Sequence, residues 1–277
     1  MSENFLVELV ELNVNGETMP ELPEVETLCR QLSSIVTGKE ILAAEVLDPR
    51  LGRAEGLTGR KIEAVSRSGK YLRILLSGGL TATLHLRMTG RLLWQETDAP
   101  LPSHARLTLA FSGGRIVLID PRRFATLDVG MKKAHEPAVP DALADLSSKG
   151  LRELARSRRL PIKSFLMDQR FIAGIGNIYA CEILHKAGID PNRPAGSVSA
   201  AKWRAISQAA AYILSRAVAC RGTTVSDWRD LFGRSGTNQD HLAVYGREGE
   251  PCLNCGGIIE RTALAGRGTW FCPSCQG

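Results

Sequence analysis

The sequence predicts a multidomain α+β protein, and changes of pattern along the chain carry this prediction. Apolar residues recur at helical spacing near the N-terminus, short alternating apolar runs follow, and longer helical patterns come after them. The C-terminal end returns to turns and paired cysteines. A chain of 277 residues is long enough for two or three modest domains. We therefore expect an N-terminal helix, an antiparallel β domain, a helical domain and a C-terminal metal ribbon.

The N-terminal helix is predicted from the segment PELPEVETLCRQL, which begins at Pro20. Val25, Leu28 and Leu32 recur at helical spacing, and Pro23 suits the first turn of a helix. The helix should therefore begin directly after Pro20.

The β domain is predicted from Ile41 to Val129, where the runs YLRILLS, LTATLHLRM, ARLTLAF and RIVLID are separated by glycine and serine turns. The Pro-rich stretch from Glu136 to Pro140 predicts a hinge or a linker. Beyond it, the periodicity of residues 200–219 predicts a long helix.

The composition indicates a globular protein and is compatible with a polyanionic partner. Hydrophobic residues make up 44% and charged residues 23%, which suits a substantial core. The net charge of +6 favours nucleic acid or acidic surfaces, although charge alone is weak evidence. No apolar run is long enough to span a bilayer, and no secretory pattern opens the chain. We expect a cytoplasmic protein that is not secreted.

The cysteines separate into scattered residues and one cluster. Cys29, Cys181 and Cys220 are predicted to be small buried hydrophobic residues. The cluster contains two C-x2-C pairs separated by sixteen residues, which is typical of a four-cysteine zinc ribbon, and its members are Cys252, Cys255, Cys272 and Cys275. Four thiolates close the coordination shell, so the predicted zinc is structural. A redox pair or a chance arrangement is the weaker alternative.

Three loop motifs carry groups suited to phosphate or base contact. In AGIGNIYA, the backbone N–H groups and Asn177 could meet an anion at a helix N-terminus, although the glycines could equally serve helix packing. DPRRFA places two arginines beside an aromatic ring, which suits phosphate contact and insertion into a base stack, or is an ordinary turn. Taken alone, Arg261 and Arg267 are solvated surface arginines and Met88 is core filler.

The ordered set PELPEVET, KYL, HLRMTG, DPRRF, AGIGNIYA, VYGREGEPC and the paired cysteines resembles the formamidopyrimidine-DNA glycosylase family over nearly all of residues 19–277. Leu22 stands where the related endonuclease VIII branch usually has glycine. The resemblance implies a helix plus β-sandwich at 20–135, a helix-two-turn-helix DNA-binding domain at 140–244 and a zinc ribbon at 245–277, with DNA bound between the domains. Residues 1–19 would be an extension outside the mature enzyme.

The resemblance also implies base-excision repair. The enzyme would remove oxidised purines, formamidopyrimidine and 8-oxoguanine, from double-stranded DNA and then nick the abasic site by β,δ-elimination. A terminal amine has a pKa of about 8, so a useful fraction is neutral and nucleophilic. Pro20 would supply this amine as a Schiff base, with Glu21 assisting sugar opening and Glu24 organising the nearby charge.

Further roles follow from the same resemblance. Lys70 corresponds to a catalytic lysine at a phosphate beside the lesion, and Arg267 to an arginine of the second elimination. Met88, Arg122 and Phe124 match the residues that fill the gap left by the everted base, which overturns the core-filler interpretation of Met88. The predicted DNA-contacting residues are His104, Arg122, Arg158, Asn177, Met88, Phe124 and Arg234.

Two departures from the family pattern bear on activity. A chain that starts at Met1 holds the Pro20 nitrogen in a tertiary amide, so we expect translation to start at Met19 and Met19 to be removed. The loop GRSGTNQDHL, residues 233–242, replaces the usual Gly-Tyr-Phe segment and leaves lesion preference open, although Arg234 could keep a basic contact. Ala125 replaces a glycine, a smaller change.

Two other functions compete with the enzyme. A non-catalytic damage-binding protein would bind abasic DNA yet form no borohydride-trapped adduct. A zinc-ribbon interaction module would explain the cysteines but would leave DPRRF and AGIGNIYA without a role.

Overall fold

The computed structural model describes residues 19–131, 139–144 and 146–277. These residues form two compact units: the first contains residues 19–131 and 218–238, and the second contains residues 139–217 and 239–277. The predicted extension at the N-terminus and most of the predicted linker lie outside the described residues. None of the described helices is long and apolar enough to cross a membrane.

The first unit opens with helix α1, Leu22–Val36, as the apolar spacing predicts. Pro23 lies in its first turn, where a missing N–H costs no hydrogen bond. Its apolar face is buried, and Leu28 and Leu32 are fully inaccessible to solvent. Helix α1 packs mainly against the strand Ile62–Ser68, and Pro20 lies two residues before the first residue of the helix.

Eight antiparallel strands follow helix α1 and form two four-stranded sheets, which confirms the predicted β domain. One sheet has the order β1-β6-β7-β5 and the other β2-β3-β4-β8. The strands are β1 Ala43–Val46, β2 Ile62–Ser68, β3 Tyr71–Leu76, β4 Leu80–His85, β5 Arg91–Gln95, β6 Ala105–Phe111, β7 Gly114–Ile119 and β8 Thr126–Met131. Apolar residues of both sheets share one core, including Ile74 and Leu84 from one and Leu107 and Ile116 from the other, as in a β-sandwich.

The segment 218–238 belongs to the first unit although it follows the helices of the second in sequence. Trp228 and Leu231 enter the sandwich core, and the Trp94 N–H donates to the Leu231 carbonyl over 2.8 Å. The Gln31 side chain of α1 donates to Asp230 and accepts from the Leu231 N–H. Sequence order groups this segment with the helices at 140–244, whereas its buried apolar side chains pack on the sandwich.

The second unit contains helices α2 Ser148–Ala155, α3 Ile162–Met167, α4 Asn177–Ala187 and most of α5 Ala200–Ala219, and then strands β9 Glu260–Leu264 and β10 Arg267–Phe271 and helix α6 Pro273–Gln276. The long helix α5 matches its predicted bounds. Phe165 stacks on Phe171 and contacts Trp203 edge-on, which ties α3 to α5. The buried Glu182 carboxylate of α4 accepts hydrogen bonds from three consecutive N–H groups at residues 243–245.

The scattered cysteines follow the prediction with one exception. Cys29 and Cys181 are buried, and burial raises the pKa of the Cys29 thiol to about 11, so this thiol stays protonated. Cys220 is only half-buried, because the chain leaves helix α5 directly before it.

Candidate active site and nucleic-acid-binding residues

The predicted nucleophile lies directly before helix α1. Pro20 is half-buried, whereas Glu21 and Glu24 are each 2% exposed. The Glu24 carboxylate turns back on the helix start and accepts a hydrogen bond from the Glu21 N–H over 2.9 Å. An acidic side chain is favoured there, because the first N–H groups of a helix point out without partners. The fold therefore holds a carboxylate one helical turn from the proline.

The other oxygen of Glu24 is held by a residue that the sequence analysis missed. The Thr223 N–H donates to Glu24 Oε1 over 2.7 Å, and Thr223 is 2% exposed. Asn238, fully buried, donates from its side chain to the Thr223 hydroxyl and from its backbone to the Gly222 carbonyl. Two backbone donors thus fix both oxygens of Glu24.

Gly222 is required in this arrangement. Its φ is +85°, and a Cβ there would lie 2.7 Å from Glu24 Oε1 and 3.0 Å from the indole nitrogen of Trp228. Any larger residue would push the loop away from the carboxylate. A glycine followed by two threonines after a long helix is a signal for a tight turn, but it does not say what the turn contacts.

Lys70 lies in the tight turn between β2 and β3 and is 5% exposed. Arg67 fixes this turn to α1: its Nε donates to Glu26 over 2.8 Å, and its Nη1 donates to the Gly69 carbonyl over 2.9 Å. Burial opposes the charge on Glu26, but hydrogen bonds from Arg67 and Arg30 outweigh it and lower the pKa of this carboxyl. The lysine turn and the proline helix are therefore joined by a partly buried ion pair.

The predicted gap-filling residues lie on two loops of the first unit. Met88 follows β4, and Arg122 and Phe124 follow β7, with the Arg122 guanidinium 4.8 Å from the centre of the Phe124 ring. All three are half-buried. Partial burial with a cation over an aromatic ring holds these side chains at the surface while restricting their rotamers.

Left-handed backbone marks these loops and a third one. Arg87, His104 and Arg123 have φ values of +57°, +63° and +62°. Such values are uncommon outside glycine and occur often at functional sites, where the surrounding structure maintains the strain. His104 itself is exposed, and its contact with DNA stays a prediction.

His85, at the end of β4, is a neutral neighbour of Lys70. Burial, together with the charges of Arg87 and Lys70, lowers the pKa of His85 to about 3. Its Nδ1 accepts a hydrogen bond from the Arg87 N–H over 2.9 Å, and its ring meets Tyr71 edge-on. An uncharged imidazole therefore supports the loop that carries Met88.

Arg234 forms an ion pair with Asp230. Its Nε donates to the buried Asp230 over 2.9 Å, its N–H donates to the same carboxylate, and its guanidinium lies 5.0 Å from the Phe232 ring. Hydrogen bonds from Gln31, Phe232 and Arg234 outweigh burial and lower the pKa of Asp230. A basic DNA contact by Arg234 stays a prediction.

In the second unit, Asn177 is the first residue of α4, with Gly176 directly before it. The buried Asn177 Oδ1 accepts no hydrogen bond from any described residue. Helix N-termini of this kind bind anions through backbone N–H groups. Arg158 is exposed, and its guanidinium stacks 4.1 Å above the Phe171 ring.

The four clustered cysteines meet at one point. Their sulfur atoms all lie within 4.8 Å of one another, with Cys252 to Cys275 at 3.8 Å and Cys255 to Cys272 at 3.5 Å. A tetrahedral zinc with Zn–S bonds of about 2.3 Å requires sulfurs about 3.8 Å apart, so the residues fit the metal. His185 of α4 approaches Cys252 at 3.4 Å.

Arg267 is the first residue of β10, directly after the turn formed by Ala265 and Gly266, and it is exposed. Beside it, the buried Lys163 donates to the Gly268 carbonyl over 2.9 Å and to the Thr269 hydroxyl over 2.7 Å, which anchors the ribbon to α3. Sequence reasoning missed Lys163, because a lone lysine in a helix carries no pattern.

A proline before an acid-capped helix, a loop that carries two arginines beside an aromatic ring, and a cluster of four cysteines at metal-binding distances define a class: zinc-ribbon proteins with a basic surface suited to nucleic acid. Comparison with known proteins makes the assignment specific. The N-terminal domain of formamidopyrimidine-DNA glycosylase matches residues 19–127, its helix-two-turn-helix domain matches residues 134–228, and a zinc finger found in this enzyme and in isoleucyl-tRNA synthetase matches residues 249–277. The chain belongs to the formamidopyrimidine-DNA glycosylase family.

Individual relatives agree over nearly the whole chain. The formamidopyrimidine-DNA glycosylase of Moorella thermoacetica is 43% identical over 264 residues, which are 88% of this chain and 94% of the relative. The complex of the Lactococcus lactis enzyme with DNA containing an abasic site has a TM-score of 0.87 at 34% identity, covering 93% of this chain and 99% of that one. The complex of a single-residue mutant of the Lactococcus lactis enzyme with DNA containing Fapy-dG has the same TM-score at 33% identity and the same coverage. The predicted α+β fold and its structural zinc ribbon are confirmed.

Proposed function

We propose that this protein is a bifunctional DNA glycosylase and abasic-site lyase that removes oxidised purines, formamidopyrimidine and 8-oxoguanine, from double-stranded DNA. The observation that carries this proposal is the Pro20 helix start, where Glu24 is held by two backbone donors. Binding DNA does not need this arrangement, whereas a nucleophilic amine does. The resemblance to enzymes solved with Fapy-dG and abasic-site DNA supports this substrate class.

The first step uses the Pro20 nitrogen as the nucleophile. Its lone pair attacks C1′ of the damaged nucleotide, the C1′–N bond breaks, and the base leaves with a proton. Opening of the sugar ring transfers a proton to O4′, for which Glu21 is the proposed acid. The product is an iminium between the proline nitrogen and C1′.

The iminium then permits strand cleavage. It withdraws electrons from C2′, which loses a proton, and the 3′-phosphate leaves; a second elimination releases the 5′-phosphate. We assign Lys70 and Arg267 to the phosphates of these steps, because ammonium and guanidinium groups are the side chains that pair with phosphate oxygens. These steps need no redox cofactor, because substitution at C1′ and the two eliminations involve no oxidant or reductant.

DNA binding is assigned to groups on both units. Met88, Arg122 and Phe124 fill the gap left by the everted base, and His104, Arg158, Asn177 and Arg234 contact the strands. Cys252, Cys255, Cys272 and Cys275 would hold a structural zinc, and the metal would stabilise the ribbon that presents Arg267. We propose that the enzyme acts as a monomer on the bacterial nucleoid.

The chemistry requires a free Pro20. An amide nitrogen has no available lone pair, so a form that keeps residues 1–19 should be inactive. We propose that the active form begins at Pro20 after removal of Met19. Intact-mass analysis of the native protein tests this directly, and a mass that starts at Met1 would contradict it.

Borohydride trapping tests the function. The form that begins at Pro20 and the form that begins at Met1 are each mixed with an abasic-site duplex and borohydride. We expect a covalent complex only with the Pro20 form. If neither form traps while both bind the duplex, the protein is a damage-binding protein without catalysis.

A further inference from the structure

A single buried carboxylate connects the loops that carry the gap-filling residues. Asp120, at the end of β7, is 1% exposed. Its Oδ1 accepts a hydrogen bond from the Thr89 hydroxyl over 2.5 Å, and its Oδ2 accepts from the Ala125 N–H over 2.7 Å. Thr89 follows Met88, and Ala125 follows Phe124. The Asp120 carboxylate therefore forms hydrogen bonds directly next to two of the gap-filling residues.

The backbone of Asp120 extends this connection. Its N–H donates to the His104 carbonyl over 3.0 Å, and its carbonyl accepts from the Arg123 N–H over 3.2 Å. Three loops therefore meet at Asp120. Each contains one residue with left-handed backbone, namely Arg87, His104 and Arg123. A strained backbone persists only where its surroundings hold it, and Asp120 makes bonds to all three loops.

The charge of Asp120 is compensated by a buried network. Arg106, 2% exposed, donates from Nη1 to Asp120 over 2.9 Å and from Nε to Asp48 over 2.8 Å. Asp48 also accepts from Arg123 Nε over 2.7 Å, and the Arg123 bonds hold the pKa of Asp48 well below its ordinary value. Buried ion pairs of this kind add little stability over apolar packing, so a network kept inside a sandwich indicates a need for defined geometry.

We propose that Asp120 is a positioning residue for base eversion: it holds Met88, Arg122 and Phe124 in the geometry that fills the gap in the duplex. This inference rests on the proposed function. Eversion requires unstacking and unpairing of the target base, which costs free energy. Gap-filling side chains that are already held in place offset this cost, because they lose little conformational entropy when they enter the duplex. Asp120 acts through the loops and touches neither the base nor the sugar.

The test separates eversion from chemistry. Thr89→Val removes the hydroxyl that bonds Asp120 and leaves the Arg106 network intact. Single-turnover excision is measured on a duplex with 8-oxoguanine paired to cytosine and on the same lesion in an unpaired bubble, where eversion is already favoured. We expect Thr89→Val to slow excision from the paired duplex about tenfold, the equivalent of one lost hydrogen bond to a charged group, and to change the bubble rate less than about twofold.

Two matched variants complete the experiment. Thr89→Ser keeps the hydroxyl and should restore the paired rate. Thr81→Val makes the same chemical change on β4. The Thr81 hydroxyl is buried and forms no hydrogen bond with any described residue, so this control should leave both rates unchanged. Asp120→Asn should slow excision from the paired duplex more than Thr89→Val does while still sparing the bubble substrate, and thermal unfolding reports whether this variant remains folded.

Two results would overturn the inference: an unchanged paired rate in Thr89→Val, or an equal slowing on paired and unpaired substrates. The second result would place Thr89 in binding or chemistry instead. Trapping of wild-type protein on abasic DNA is scored separately, so that failure of the proposed function is distinguished from failure of the positioning role.

Discussion

The start of helix α1 and the zinc ribbon use opposite ways of assembling a site. The ribbon takes all four ligands from residues 252–275, and two turns with the same spacing present them. The helix start depends on Thr223, which lies 199 positions from Glu24 along the chain. A local site can be recognised from spacing alone, whereas a site built from distant segments exists only after the tertiary fold has formed. The first two predictions change one of these regions and measure both, and the others test the contacts that hold the helix start and its surroundings.

Zinc removal should produce the largest effect. Structural zinc contributes about 10 kcal/mol or more in small metal-dependent domains, so chelation or Cys272→Ser should unfold the ribbon. Glu24 keeps its donors, because they belong to its own unit. Hydrogen exchange should show lost protection in β9 and β10 with protection of α1 retained. Equal loss of protection in α1 and in the ribbon strands would show that the two sites do not form independently.

Glu24→Gln should have the next largest effect, this time on the helix start. The amide preserves the shape but removes the negative charge beside Pro20, and we expect borohydride trapping to slow by about a hundredfold or more. Glu63→Gln, an exposed change on β2, is the matched control and should trap normally. Zinc content, measured by atomic emission, should be the same in all three proteins. Normal trapping by Glu24→Gln would remove Glu24 from the mechanism.

Gly222→Ala tests the long-range contact itself. The new Cβ adds backbone strain and a 2.7 Å approach to Glu24 Oε1, so we expect a loss of about 3 kcal/mol in unfolding free energy together with slower trapping.

Gly38→Ala separates the two contributions. Its φ is +83°, close to that of Gly222, but a Cβ there meets nothing within 4 Å. We expect the unfolding free energy, measured with urea, to fall by about 1 kcal/mol, and borohydride trapping to stay normal. Equal losses in the two variants would show that the contact with Glu24 carries no energy.

His85 should produce a dependence of stability on pH. Burial and neighbouring charges lower the pKa of His85 from 6.5 to about 3. Between these two pKa values the unfolded chain binds a proton at His85 that the folded chain does not. The free energy of unfolding therefore decreases as the pH falls below about 6.5, by about 1 kcal/mol per pH unit. His85→Asn keeps an acceptor for the Arg87 N–H. Urea unfolding at about pH 7 and 5 should show a smaller difference in this variant.

The fold was largely predictable, because its elements follow local rules. The spacing of Val25, Leu28 and Leu32 predicts α1, alternation predicts the strands, and the periodicity of 200–219 predicts α5. The placement of segment 218–238 was not predictable. Its irregular backbone has no hydrophobic periodicity, and burial of Trp228 and Leu231 together with hydrogen bonds to Gln31 and Glu24 holds it in the first unit.

By itself, the sequence determined the helix after Pro20, the antiparallel β domain and the four zinc ligands, since each depends on side chains a few positions apart. Tertiary structure alone decided that Thr223 and Asn238 hold Glu24, that Arg67 fixes the Lys70 turn, and that Asp120 joins three loops. The physical reason is that a buried polar group must find a partner somewhere in the folded chain. Nothing in its local sequence specifies which partner that will be.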